Sequence, residues 1–129
     1  MTPLTQEWVD KAEGDFATAE RELGASVMPN FDAVCFHSQQ CAEKYLKARL
    51  QEANISFLKT HDLSALLNLV LPTEPSWHSL LLDFQELTLF AISYRYPGFS
   101  ADKKAALKAI ARCRKFRKIC RRSLGLRVR

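Results

Sequence analysis

Glycine and proline are scarce in this chain, at 4 and 5 of 129 residues. There is thus little of the turn material that a many-stranded β fold consumes. No apolar run approaches the roughly 18 residues that a membrane-spanning helix needs. The opening stretch Met1-Thr2-Pro3-Leu4-Thr5-Gln6-Glu7 has neither a basic region nor an apolar core, so no secretory signal is read and a cytoplasmic location is expected. Cys-x-x-Cys pairs are missing too. Cys35, Cys41, Cys113 and Cys120 fall among apolar neighbours in helix-like stretches, where thiols are expected as buried structural residues. His37 and Cys41, four apart, have no neighbours to complete a zinc set. No metal and no cofactor are expected.

What is present suffices for one core. The hydrophobic fraction is 47% against 26% charged residues, ordinary values for a globular domain. Apolar residues recur at helical spacing in five segments, predicting an all-α, single-domain, up-and-down bundle over residues 1–129. Thr5 to about Leu23 carries Trp8, Ala12, Phe16, Ala19 and Leu23. A second helix opens at Pro29 or Asn30 and runs to about Ala53. Its apolar positions form two stripes, Phe31, Val34, Cys35, Cys41, Ala42 and Tyr45 on one side and Phe36, Leu46 and Leu50 on another. A helix apolar on two sides packs against several neighbours and belongs at the centre. Thr60 is read as the cap of a third helix with Asp62 in its first turn, and Pro72 ends it. A fourth runs from Trp77 to about Ser93, where Pro97 disfavours helical geometry at Tyr96. The last, about 101–124, buries Ala106, Ala109, Cys113, Phe116 and Cys120, with basic residues filling its remaining faces.

Charge is unevenly placed. From residue 101 onward twelve Lys or Arg face one acid, Asp102, a net +11, whereas residues 1–100 carry seven basic and thirteen acidic side chains, a net −6. Such a field attracts a polyanion or an acidic partner. No helix-turn-helix spacing, zinc-finger spacing or Gly-rich phosphate loop accompanies it, which leaves sequence-specific DNA reading without support.

Two segments stand out from this helical background. Phe36-His37-Ser38-Gln39-Gln40-Cys41-Ala42-Glu43-Lys44-Tyr45-Leu46-Lys47-Ala48 leads to Lys59-Thr60-His61-Asp62-Leu63, and Tyr94-Arg95-Tyr96-Pro97 follows later. Together with Ala12-Glu13-Gly14-Asp15-Phe16 they resemble the HEPN domain family over about residues 8–120. The resemblance implies a helical bundle that usually dimerises, and in prokaryotes a member often paired with a minimal nucleotidyltransferase in a toxin–antitoxin system. It also implies nucleotide binding or RNA chemistry. RNase members use an Arg separated from a His by four to six intervening residues. Here the corresponding positions after Arg95 are Ser100, Ala101 and Asp102, so that pair is missing and a binding role is favoured over RNA cleavage.

The candidate site residues are Arg95, Tyr94, Tyr96, His37, Gln40, Lys44 and His61. His37, Gln40, Lys44, Lys47 and Gln51 follow one another at helical steps, as a phosphate- or base-contacting wall or as a solvated face with Glu43 and Lys47 paired. His61 and Asp62 open a helix whose free N–H groups either take a phosphate or are simply capped. Arg95, between two tyrosines at a helix break, can fork onto a phosphate while the rings stack on a base; alternatively it pairs with a carboxylate such as Asp15. The alternatives to a binding module are a ribonuclease built around Arg95 with His37 or His61 as acid–base, and a helical adaptor whose basic last helix holds an acidic partner.

Overall fold

The computed structural model describes all 129 residues and is all-α. Its helices are α1 (Pro3–Leu23), α2 (Phe31–Glu52), α3 (Leu63–Val70), α4 (Leu81–Ser93) and α5 (Lys103–Ser123), with a 3₁₀ segment, Pro75–Leu80, leading into α4. No helix is long and apolar enough to cross a membrane.

Local chemistry sets most boundaries. Thr2 caps α1 by accepting from the Thr5 N–H at 3.1 Å, with Pro3 in the first turn, where its missing N–H costs nothing. Asn30 caps α2 through the Ala33 N–H at 3.0 Å, and Asp102 caps α5 through that of Ala105 at 2.8 Å. The third helix departs from the sequence reading. Asp62, not Thr60, is its cap: Asp62 Oδ1 accepts from Ser64 and Ala65, while Thr60 Oγ1 accepts from Asp62 N–H. The shorter carboxylate-bearing turn closes directly onto the helix, and the threonine braces the residue before it. Trp77 falls in the 3₁₀ turn after Pro75, so the α-helical part of the fourth helix begins only at Leu81.

As its two apolar stripes require, α2 packs against α1, α3, α4 and α5 alike. Twenty-seven buried residues form one core, including Tyr45, Leu46, Leu66, Leu67, Phe84, Leu87, Ile110 and Phe116. Phe116 sits edge-on to both Trp77 and Phe84, at 5.2 and 4.8 Å between ring centres, the geometry aromatic quadrupoles favour. All four cysteines are buried and unbridged. Burial, with the nearby charges of Asp32 and Asp102, pushes the Cys35 thiol up to about 12. Burial likewise raises Cys41 and Cys120.

The last helix is not basic on its outer faces alone. Arg117 and Arg121 point into the bundle and are buried. Arg117 forks onto Glu13 of α1 at 2.7 and 2.8 Å and stacks on Phe16. Tyr45 donates to the same carboxylate at 2.5 Å, and Arg121 donates to the Tyr45 hydroxyl at 3.1 Å. The two guanidiniums also hold the backbone carbonyls of Arg129 and Arg127, both at 2.6 Å. Arginine suits this interior better than lysine, because its fork satisfies several acceptors at once.

Candidate functional site

A cleft of about 410 Å³ opens where the N-terminal half of α2, the entry to α3 and the C-terminal half of α4 converge. Phe36, Ala91 and Ile92 give it an apolar floor, and Gln39, Gln40, His61, Asp62, Thr88 and Arg95 supply its polar groups. A few polar groups around an apolar floor are the usual make-up of a small-molecule site.

Each polar wall residue is held differently. Gln39 is buried and fully engaged: its amide donates to the His61 carbonyl at 3.1 Å and toward Glu43 at 3.3 Å, while its oxygen accepts from Gln40 at 2.7 Å. This pins the α2–α3 connection against the cleft. Glu43 lies beneath, its side chain 3% exposed, and takes Lys47 at 3.0 Å and the His61 ring Nδ1 at 2.8 Å. The carboxylate accepts, so Nδ1 carries the proton and Nε2 of a neutral ring is left with a lone pair. His61 itself is 75% exposed in its side chain. Asp62 spends its carboxylate on the start of α3, which fills the anion-binding end of that helix with the chain's own oxygen.

Arg95 is different. It is exposed at the end of α4, its guanidinium carbon lies 5.9 Å from the Phe36 ring centre, and its side chain takes part in no ion pair or hydrogen bond of the chain. Asp15 does not reach it. That carboxylate takes His37 Nδ1 at 2.7 Å and Lys44 Nζ at 2.5 Å, knitting α1 to α2.

Of the seven candidates, Gln40, His61 and Arg95 share the cleft, while His37 and Lys44 face Asp15. Tyr94 stacks on Phe90 at 6.0 Å, and Tyr96 is 61% exposed beyond the cleft lining. The polar run along α2 is therefore no single wall. The Glu43–Lys47 pair forms as the spacing predicts, but in the interior and not on a solvated face. Sequence reasoning missed Gln39, Phe36, Thr88 and Ile92 as lining residues. The adjacent amides Gln39-Gln40 were a usable signal for the first, since a glutamine on a buried face needs fixed partners.

Neither a curated protein nor a solved structure matches the chain. The family model of the HEPN domain matches residues 5–123, from the first turn of α1 to the end of α5, and the chain belongs to the HEPN domain family.

Proposed function

We propose that this HEPN-domain protein binds a nucleotide or RNA in the cleft between α2, α3 and α4. The family supports a role tied to nucleotides or RNA. The observation that carries the reading is the exposed Arg95 guanidinium at the cleft, unpaired in a chain whose buried carboxylates all have partners. In this reading Arg95 forks onto a phosphate. Gln40 and His61 hydrogen-bond a base or sugar, Phe36 and Ile92 form the apolar floor, and Tyr96 offers a ring for stacking. Tyr94 supports the helix end from Phe90, and His37 and Lys44 fix α2 against α1 behind the site. In this reading the protein works as a homodimer paired with a minimal nucleotidyltransferase in a toxin–antitoxin type of system, the arrangement that the resemblance to prokaryotic members implies. Calorimetric titration with ATP and with a short RNA tests the site: saturable binding, weakened by Arg95→Ala and by salt, is expected. Binding indifferent to both changes rejects it.

A second reading, a ribonuclease, is favoured by one placement: His61 and Arg95 line the same cleft. His61, oriented by Glu43, would take the proton of a 2′-hydroxyl. That oxygen would attack phosphorus, Arg95 would stabilise the added charge, and the P–O5′ bond would break to leave a 2′,3′-cyclic phosphate, the departing 5′-oxygen taking its proton from water. Digestion of RNA by wild type but not by His61→Ala or Arg95→Ala supports this reading, and intact RNA with clean wild type dismisses it.

A further inference from the structure

The fold divides the twelve cations of residues 101–129 into two groups. Five pair with carboxylates of the body: Arg112 with Asp83 and Glu86, Lys115 with Asp83, Arg114 with Glu20, and Arg117 and Arg121 with Glu13. Much of the positive charge of α5 is therefore spent within the fold. The rest is not. Lys103, Lys104, Lys108, Lys118 and Arg122 of the same helix are exposed and have no carboxylate within 4.0 Å. Four of them, Lys104, Lys108, Lys118 and Arg122, fall with Ala111 and Lys115 at successive steps of four, three, four, three and four. That spacing places them on one outward ridge about 27 Å long at 1.5 Å per residue.

We infer that this ridge of α5 is a second surface, separate from the cleft, on which the sugar–phosphate backbone of a single-stranded nucleic acid lies. Like charges in a row repel one another and are held together only by the fold, so a polyanion laid along them gains on every contact. The ridge suits a phosphate chain better than an acidic protein. Protein interfaces are anchored by apolar and aromatic side chains at their centre, and beside this ridge the only exposed large apolar side chain of α5 is Leu107. Its cations are mostly lysines, mobile point charges that tolerate varying phosphate positions, where recognition of one fixed carboxylate favours arginine. The inference does not depend on the cleft binding anything.

The test measures anisotropy of a short fluorescein-labelled single-stranded RNA of mixed sequence, titrated with wild type, a Lys104→Gln/Lys108→Gln/Lys118→Gln/Arg122→Gln variant, Arg95→Ala, and a control lacking the exposed cations Lys11, Arg21 and Lys59. All four substituted ridge positions are exposed, and circular-dichroism melting checks that each variant folds. Wild-type affinity should fall linearly on a log–log plot between about 50 and 200 mM salt. The ridge variant should flatten that slope by about 3 and lose about tenfold or more in affinity. The Lys11, Arg21 and Lys59 control should keep the wild-type slope, and Arg95→Ala, which removes a single cleft cation, should flatten it by no more than about 0.7. An unchanged slope in the ridge variant, or equal flattening in the control, overturns the inference. So does competition by poly-glutamate as effective as that by RNA at equal charge, which would assign the ridge to acidic proteins. Loss of ATP binding in Arg95→Ala alone would uphold the cleft and leave the ridge result standing by itself.

Discussion

Arg95 lies 5.9 Å from the centre of the Phe36 ring and meets no carboxylate, while Asp15, the acid nearest in chemical logic, is taken by His37 and Lys44. A cation resting on an aromatic face is oriented but not neutralised. It retains all its donors for an incoming phosphate. If the fork geometry matters, Arg95→Lys should keep the charge yet weaken ATP binding about tenfold, since an ammonium cannot make two parallel bonds to one phosphate. Calorimetry on the two proteins at equal salt decides it; equal affinities would reduce Arg95 to a point charge.

Glu43 and Lys47 form a pair almost wholly removed from water. Glu43→Gln leaves a buried ammonium opposite a neutral amide and should cost about 3 kcal/mol. Replacing both, as Glu43→Gln with Lys47→Met, should recover most of that loss because no uncompensated charge remains. Urea midpoints of the three proteins measure both effects.

Glu13 gives the fold an acid-sensitive tie. Burial alone would raise its carboxyl, but hydrogen bonds from Arg117 and Tyr45 and the charges of Arg117 and Arg121 prevail and hold it below its usual 4.5. A group depressed in the folded state stabilises above its unfolded value and loses that contribution as pH falls through the folded one. Glu13→Gln should therefore be less stable than wild type at neutral pH, with the gap closing as pH drops below 4.5. Thermal melts across that range read it directly, and a gap constant with pH would refute the linkage.

The four cysteines should be silent toward a thiol reagent such as 5,5′-dithiobis(nitrobenzoate) in the native protein at mildly alkaline pH. Each is buried, and the Cys35 thiol is held at about 12, leaving almost no thiolate to react. Denaturant should release four equivalents. Rapid labelling of the native protein would contradict this.

Most of the fold is legible along the chain because helix periodicity and capping are local. Asn30 and the two stripes of the second helix predict both its start and its central position. Thr60 shows the limit: threonine and aspartate two residues apart are both good caps, and only the path of the incoming loop selects Asp62. The site was less legible. Spacing puts His37, Gln40, Lys44 and Lys47 near one another on α2, but not which neighbouring helix each of them meets.

The sequence by itself determined the helices, the burial of the thiols, the basic last segment and the family, since each depends on residue type and short-range order. Tertiary structure alone decided the pairing of charges. Asp15 drew His37 and Lys44, Glu43 drew His61, and Glu13 drew Arg117 into the interior. Charged pairing follows distance in space, and helices brought together from 18 to 104 residues apart set those distances. What that pairing left over, Arg95 at the cleft and the lysine ridge of α5, is where the chain offers charge to something other than itself.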